Sequence, residues 1–248
     1  MADAIPVGTG SNVIVHLRPS PVVARVMCGT VVLHPDPHAW LTREIDVGAF
    51  LAERMTSVVA PTKEIDPGPY VSGNLWMSFW EHVEVRKTPL EALEIGRALR
   101  ALHDALAEYR GPLPPRSAVL GEIDWLLDAL SGDEAVSELS AERDRLAEVI
   151  LEHEHAAEQQ PLHGDASLSN LLATSSGPRW NDLEDVCVGT VEWDVAGVLS
   201  DARAAHGDAF SAEVLSAYGG ECDPAALERV DQVHALYGGL WRRYRRRR

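Results

Sequence analysis

The sequence predicts an α+β fold with two lobes, a small β-rich N-terminal lobe and a larger, mostly helical C-terminal lobe. Three observations support this prediction. The first 60 residues alternate short β-branched runs with proline turns, an aromatic stretch without helical period follows near residue 80, and helical spacing begins at Pro89 and continues to about residue 158. We therefore assign residues 1–82 to the N-terminal lobe and residues 83–248 to the C-terminal lobe.

The N-terminal lobe is predicted element by element from its local pattern. Asn12–Leu17 and Val22–Met27 are rich in β-branched residues, and the turn Arg18–Pro21 between them predicts a hairpin. Leu41–Met55 has its apolar residues at helical spacing and predicts a helix. Trp76–Val83 is apolar and aromatic, which favours a strand that runs into the connector between the lobes.

The C-terminal lobe is predicted to begin with an amphipathic helix that ends before the breaker Gly111–Pro115. Two further helices are expected over Ala118–Leu130 and Ser140–Glu154, and two short β-like pieces, at Leu171–Leu172 and Pro178–Leu183, interrupt the helical pattern. Each β-like piece adjoins polar residues, and loops on a rigid scaffold often carry reactive groups. The apolar face of the first helix consists of Ile95, Leu99, Leu102 and Leu106.

Composition and charge disfavour some classes of partner. The chain of 248 residues is 46% hydrophobic, which suffices for a sizeable core, and its formal net charge is -16. Such an acidic surface repels nucleic acid and anionic membranes, whereas a cleft lined by carboxylates would concentrate a cationic ligand. The alternative is that the acidity only maintains solubility. The basic run Arg242–Arg248 is an exception, and we expect it to be solvated or disordered.

Cysteine use and hydropathy predict a cytoplasmic protein. Cys28, Cys187 and Cys222 are too few and too scattered for a disulfide framework or a zinc site. The first residues lack the basic and then apolar pattern of a signal peptide, and no apolar stretch reaches the roughly 18 residues that a membrane span requires. The oligomeric state stays open between monomer and homodimer.

The strongest chemical signal is the segment His163–Asn170, in which an Asp and an Asn stand five residues apart before an apolar pair. Mg²⁺ prefers oxygen ligands and is commonly held by one or two protein oxygens together with substrate phosphates. Asn170 and the later Asp182 would supply these oxygens, and Asp165 would orient an acceptor hydroxyl and take its proton during phosphoryl transfer. The alternative is a loop whose polar residues only satisfy local hydrogen bonds.

Three segments in this part of the chain form one ordered set, and they are His163–Asn170, Asp182–Asp185 and Glu192–Ala196. In order and spacing they resemble the catalytic loop, the metal-binding segment and the following Trp-Asp segment of the aminoglycoside phosphotransferase family, whose fold is bilobal and protein-kinase-like. The resemblance implies Asp165 as the catalytic base, Asn170 and Asp182 as Mg²⁺ ligands, and Asp194 as a brace for the catalytic loop.

The resemblance also implies a nucleotide site in the N-terminal lobe. A loop at Gly8, Gly10 and Ser11 would let backbone N–H groups approach phosphate oxygens. A hinge near Ser78 and Trp80 would contact a purine through its backbone. The alternatives are an ordinary glycine turn and ordinary aromatic packing.

Arginine replaces the family's strand-borne lysine. Arg25 stands at that position, and we expect it to pair with Glu44 on the following helix and to neutralise phosphate charge. The alternative for the two residues is a surface ion pair that contributes little.

These features predict a kinase that uses ATP or GTP with Mg²⁺ to phosphorylate a hydroxyl of a small molecule, with an aminoglycoside or another cationic antibiotic as the favoured acceptor. Two alternatives remain. The same machinery would serve a kinase of an amino alcohol, sugar or amino sugar, and arginine in the lysine position would suit a nucleotide-binding pseudokinase. The sequence does not specify the acceptor, because acceptor pockets are built from variable helices and loops.

Overall fold

The computed structural model describes residues 3–9, 12–155 and 158–247. Within these residues a five-stranded antiparallel sheet and one α-helix precede six α-helices and two small β-ribbons, so the predicted α+β class is confirmed. The strands are β1 Asp3–Thr9, β2 Asn12–Arg18, β3 Val22–Met27, β4 Tyr70–Ser72, β5 Leu75–Glu81, β6 Gln160–Leu162, β7 Leu171–Thr174, β8 Gly177–Trp180 and β9 Cys187–Gly189. The helices are α1 Pro37–Ala52, α2 Ala92–Leu106, α3 Val119–Ala129, α4 Val136–His155, α5 Glu192–His206, α6 Asp208–Tyr218 and α7 Pro224–Arg247.

The N-terminal sheet orders its strands β1-β2-β3-β5-β4, and each neighbouring pair is antiparallel. The predicted hairpin is confirmed, because β2 pairs with β3 across the intervening proline turn. Strand β1 was not predicted. It pairs with β2 and places Gly8 opposite Ile14, so Gly8 lies in a strand that continues past a bulge, and its predicted role at a phosphate stays a prediction.

Helix α1 begins at Pro37, earlier than the predicted start at Leu41. The Asp36 side chain caps the helix by accepting a hydrogen bond from the N–H of Ala39 at 3.0 Å. Proline suits the first helical position, because its φ is fixed at a helical value and it lacks an N–H that would be unpaired there. This local signal sets the true start of the helix.

Close packing fixes α1 against the N-terminal sheet. A Cβ added to Gly48 would lie 2.9 Å from the Trp80 ring of β5, so only glycine permits this approach of helix and strand. The same packing turns Glu44 towards Arg25 of β3. Helix α1 therefore carries one polar side chain of the candidate site.

The helical part has the predicted amphipathic helix α2 at its centre. The four residues of its predicted apolar face are each at most 2% exposed, which confirms that prediction. Helix α2 contacts α6 so closely that a Cβ added to Gly96 would lie 2.4 Å from the Val214 carbonyl oxygen. The two further predicted helices correspond to α3 and α4, and α4 starts earlier than expected.

The basic run at the end of the chain continues helix α7 to Arg247, so of the two expected states, solvated or disordered, the described part of this run is solvated and helical. Its arginine side chains are exposed, as expected for a solvated run. Arg243 and Arg247 make ion pairs with Asp133, which follows α3, and these contacts support the helical conformation. Among the described residues, no helix is both long enough and apolar enough to cross a membrane.

Candidate active site

Two small ribbons hold the segment 163–170 at both of its ends. Strand β6 ends one residue before this segment and pairs with β9, and β7 begins one residue after it and pairs with β8. The segment is therefore a short loop between two anchored strands. We refer to residues 163–170 as the catalytic loop.

Asp194 braces the catalytic loop from the first turn of α5, as the sequence predicted. Its fully buried carboxylate accepts hydrogen bonds from the backbone N–H groups of His163 at 2.8 Å and Gly164 at 2.9 Å, and it contacts Nε2 of His103 at 3.1 Å. Burial alone would raise the pKa of Asp194, but these hydrogen bonds and the nearby histidines outweigh it and hold the pKa below its usual value. The brace is thus an ionised carboxylate inside the protein.

The conformation of the loop requires glycine at position 164. Its φ is +86°, and an added Cβ would lie 1.9 Å from the carbonyl oxygen of Asp185. The Gly164 carbonyl accepts hydrogen bonds from Nη1 of Arg116 at 3.1 Å and from the Trp193 indole at 2.9 Å. The glycine therefore lets the catalytic loop and the Asp182–Asp185 segment lie in direct contact.

Asp165 and Asn170 meet across the catalytic loop. The Asn170 side chain donates to the Asp165 carboxylate and to the Asp165 carbonyl, each at 2.9 Å. The Asp165 side chain is exposed to solvent, but the many protein atoms around it reduce the hydration of its carboxylate. This desolvation is the largest cause that raises the pKa of Asp165, and the nearby Asp185 and Asp182 add to it. A carboxylate with a raised pKa is a better proton acceptor than an ordinary one.

Asp182 lies beside this pair. The backbone N–H of Asn181 donates to the Asn170 carbonyl at 3.0 Å, and Asn181 in turn accepts a hydrogen bond from the His163 ring at 2.9 Å when that ring nitrogen is protonated. Asp182 has a left-handed φ of 62°, which aspartate tolerates better than most residues. The structure thus brings together the three residues predicted for catalysis and metal binding.

Arg25 contacts Asp182 from the opposite side of the cleft. Its guanidinium donates to Glu44 at 2.6 Å, to Asp182 at 2.5 Å and, at short range, to Glu184. The predicted contact between Arg25 and Glu44 is therefore present, and it is buried, with side-chain exposures of 6% and 1%. Asn12 of β2 also reaches Glu184, at 3.2 Å.

The Arg25 guanidinium makes ion pairs with three carboxylates, those of Glu44, Asp182 and Glu184. We call these four residues the Arg25 cluster. Burial disfavours the Arg25 charge, but Asp182, Glu184 and Glu44 together outweigh burial and raise its pKa well above the ordinary value. Burial raises the pKa of Glu44 to about 7, against the opposing effect of Arg25. The excess of carboxylates leaves the cluster negative whenever they are ionised, which favours a further cation.

The side-chain oxygen atoms of Asn170 and Asp182 suit a hard cation that substrate oxygens also help to bind. Asn170 points its amide nitrogen at Asp165, so its Oδ1 oxygen is left for another partner, and Asp182 gives only Oδ1 to Arg25. Within the described residues, no group of three or more His, Cys, Asp or Glu side chains is arranged to hold a metal alone. Two protein oxygens are the usual protein contribution to a Mg²⁺ site that phosphates complete.

Ser78 and Trp80, for which a hinge contact with a purine was predicted, lie in a strand, and the contact itself stays a prediction. Both residues lie inside β5, opposite Arg25 and Val23 of β3, and both are buried, with the Trp80 indole donating to the Ser78 hydroxyl at 2.8 Å. Main-chain pairing of these two residues is with β3, since β4 on the other edge of β5 pairs only with Leu75–Met77. The connector that is free of the sheet begins at His82.

The structure describes only part of the predicted nucleotide loop. Gly10 and Ser11 lie outside the described residues, and Gly8 belongs to β1. Sequence reasoning did not assign roles to Asn12 or Arg116, and it treated His103 only as structural or solvated. A histidine on the apolar face of α2 was the available signal for His103.

The fold is similar to solved structures of small-molecule kinases. The aminoglycoside phosphotransferase APH(3'')-Id of Streptomyces rimosus, in complex with ADP and streptomycin, superposes with a TM-score of 0.71 at 18% identity, covering 95% of this chain and 93% of that chain. The amicoumacin kinase hAmiN, in complex with AMP-PNP, Ca²⁺ and Ami, gives a TM-score of 0.70 at 12% identity, with coverages of 98% and 86%. A choline/ethanolamine kinase family protein of Mesorhizobium loti gives 0.64 at 18% identity, with coverages of 96% and 78%.

These similarities confirm the predicted bilobal, protein-kinase-like fold. No protein of curated function matches the chain at the level of sequence. The sequence model of the phosphotransferase enzyme family, however, matches residues 10–233, which include the catalytic loop, Asp182 and the Arg25 cluster. The chain therefore belongs to the phosphotransferase enzyme family, as its resemblance to aminoglycoside phosphotransferases predicted.

Proposed function

We propose that the protein transfers the γ-phosphoryl group of ATP or GTP to a hydroxyl group of a small cationic molecule, with an aminoglycoside or a similar antibiotic as the favoured acceptor. The convergence of Asp165, Asn170 and Asp182 in one cleft carries the proposal, because these are the groups that in-line phosphoryl transfer requires. The nucleotide would bind between the lobe of residues 1–82 and the lobe of residues 83–248.

Each residue has one task in the proposed reaction. Asp165 orients the acceptor hydroxyl and takes its proton as the oxygen bonds to the γ-phosphorus and the bond to the departing nucleoside diphosphate breaks. Asn170 and Asp182 would hold Mg²⁺, which supplies charge neutralisation at the phosphates when it is bound. Arg25 would place its buried positive charge beside the same phosphates.

Two features support a cationic acceptor. The carboxylates of Asp182 and Asp185 surround Asp165 closely enough to raise its pKa, so the acceptor side of the cleft is electronegative. A cavity of about 610 Å³ also opens between α5, α6 and α7, and its charged lining is mainly acidic. Its charged residues are Arg203, Asp208, Glu228 and Asp231.

A second candidate is a kinase of an amino alcohol or amino sugar from ordinary metabolism. The similarity to a choline/ethanolamine kinase family protein favours it, because that fold match covers 96% of this chain, against 95% for the match to the aminoglycoside enzyme. The same site chemistry would serve both acceptors, so the acceptor itself must be tested.

The test is nucleoside diphosphate release by the purified protein with Mg²⁺ and ATP or GTP. One acceptor panel would contain aminoglycosides and other cationic antibiotics, and the other would contain choline, ethanolamine and amino sugars. We expect acceptor-dependent release in the first panel. Release only in the second panel would support the metabolite kinase, and release in neither, with either nucleotide, would contradict both proposals. Where release is seen, it should be tested again in Asp165→Asn. Asp46→Asn, a substitution of an exposed carboxylate on α1, is the matched control for that variant.

A further inference from the structure

Arg116 brings a buried positive charge to the side of the catalytic loop. It begins a short 3₁₀ helix, Arg116–Ala118, and the residues before it are tied to β9, because the backbone N–H of Val188 donates to the Pro114 carbonyl at 2.9 Å. The residue is only 6% exposed, and its guanidinium lies over the Trp193 ring, 4.5 Å from the ring centroid. The proposed reaction assigns no task to this charge.

The Arg116 side chain holds the peptide unit from which Asp165 extends. Its Nη1 donates to the Gly164 carbonyl at 3.1 Å, and that carbonyl belongs to the planar peptide unit that joins Gly164 to Asp165. From α5, the Asp194 carboxylate holds the backbone N–H of Gly164 at 2.9 Å. Arg116 and Asp194 therefore fix the backbone directly before Asp165 from two different elements of the fold.

Hydrogen bonding of the loop alone does not require an arginine at this position. The Gly164 carbonyl also accepts a hydrogen bond from the Trp193 indole at 2.9 Å, so it would keep a donor without Arg116. The guanidinium donates further to the Cys187 sulfur at 3.7 Å, and its Nε has no hydrogen-bond partner among the described residues. Burying a charge with so few partners is unfavourable, which indicates that the charge itself has a role.

The Arg116 charge faces the contact between the catalytic loop and the Asp182–Asp185 segment. Gly164 lies against Asp185 at this contact, and a Cβ added to Gly164 would lie only 3.2 Å from Nη1 of Arg116. Burial raises the pKa of Asp185, and the Arg116 charge is the largest effect that opposes it. Asp185 also repels the Asp165 carboxylate across the contact. Arg116 therefore offsets the repulsion between carboxylates that this contact brings together.

We propose that Arg116 is a positioning residue for phosphoryl transfer. It orients the peptide unit before Asp165, so that the Asp165 carboxylate meets the acceptor hydroxyl, and it holds the catalytic loop against the Asp182–Asp185 segment. The inference rests on the proposed function and deepens it, because it adds a residue that acts through the backbone of the catalytic loop. The transfer step depends on Arg116, whereas binding of the nucleotide and the acceptor does not.

Steady-state kinetics of Arg116→Met separates transfer from binding. Methionine fills much of the same space but removes both the charge and the donor. With Mg²⁺, ATP or GTP and an accepted hydroxyl substrate, we expect kcat to fall about tenfold or more and KM for both substrates to stay within about threefold, because a small displacement of a catalytic group slows the reaction strongly. Arg110→Met, a substitution at an exposed arginine that follows α2, should keep the parental kcat. A kcat of Arg116→Met within about threefold of the parental value, or a rise in KM alone, would overturn the inference.

Arg116→Lys tests whether a conservative substitution rescues transfer. Lysine keeps the charge but lacks the planar guanidinium, so kcat of Arg116→Lys should lie between those of the parental protein and Arg116→Met. A kcat no higher than that of Arg116→Met would overturn the role of the charge. Circular dichroism at the assay temperature shows which variants are folded, and if Arg116→Met is not, a parental kcat in Arg116→Lys would overturn the inference. Absence of transfer by the parental protein itself would overturn the proposed function and this inference with it.

Discussion

Replacing Arg25 by methionine should destabilise the protein markedly at alkaline pH. The substitution leaves Glu44 and Glu184 buried, each at most 6% exposed, with no guanidinium to compensate their charges. Removing one partner of a buried ion pair costs about 3–5 kcal/mol. Asp182, whose side chain is 32% exposed, adds little, because water can solvate it. We therefore expect Arg25→Met to lose about 3 kcal/mol near pH 8.

The stability that Arg25→Met loses relative to the parental protein should become smaller as the pH falls. Without Arg25, the pKa of Glu44 rises further above its value of about 7, and the neutral carboxyl form then needs no cation. A group whose pKa is raised by folding contributes stability at low pH that is lost as the pH rises through that pKa. The deficit of Arg25→Met relative to the parental protein is thus larger near pH 8 than near pH 5.5.

Urea unfolding of the two proteins at both pH values measures this difference. Arg54→Met is the matched control, because Arg54 makes exposed ion pairs with Glu53 and Glu108 and its removal should cost less than about 1 kcal/mol. The stability of Arg25→Lys should lie between those of the parental protein and Arg25→Met, since a single ammonium group cannot reach both sides of the cluster as the guanidinium does. If Arg25→Met were no less stable than Arg54→Met near pH 8, the reasoning about the cluster would be refuted.

Two further substitutions test the supports of the catalytic loop, and a third tests a buried carboxyl group that joins α3 to α7. Asp194→Asn should cost about 2 kcal/mol or more in urea unfolding, because one buried backbone N–H loses its acceptor, and a loss below about 0.5 kcal/mol would contradict the brace. Gly164→Ala should cost more than about 2 kcal/mol or prevent soluble expression, since its Cβ would collide with Asp185, and parental stability would show that the loop moves freely. Burial raises the pKa of Glu122, which accepts from Tyr237, to about 7, so parental stability should fall between about pH 4.5 and 7. Glu122→Gln should remove up to about 3 kcal/mol of that fall in thermal unfolding, and identical pH profiles would contradict the shift.

The parts of the fold that were predictable are those specified by neighbouring residues. The β2–β3 hairpin and the apolar face of α2 follow from local alternation and helical spacing. Strand β1 was missed because Pro6 and Gly8 weigh against a strand, and it is the pairing with β2 that overrides them. The start of α1 at Asp36-Pro37 was a readable capping signal, so that error was avoidable.

The candidate site was predictable where spacing along the chain specifies it. Asp165, Asn170 and Asp182 belong to one continuous stretch, and the structure brings them together. The contact of Asn12 with Glu184 joins residues 172 positions apart, and that of Arg116 with Gly164 joins residues 48 positions apart. No local sequence pattern predicts contacts between residues so far apart. Ser78 and Trp80 were assigned to a hinge because an aromatic strand and a connector look alike until the pairing of these residues with β3 is known.

The central claim is that Asp165 acts on the acceptor in phosphoryl transfer, and single-turnover transfer by Asp165→Asn tests it most directly. With saturating Mg²⁺ and nucleotide and an accepted hydroxyl substrate, we expect the rate to fall by about a hundredfold or more, because asparagine cannot take the proton. Nucleotide affinity, measured by calorimetry on the same preparation, should stay near the parental value. A transfer rate within about tenfold of the parental rate, with parental nucleotide affinity, would contradict the role of Asp165.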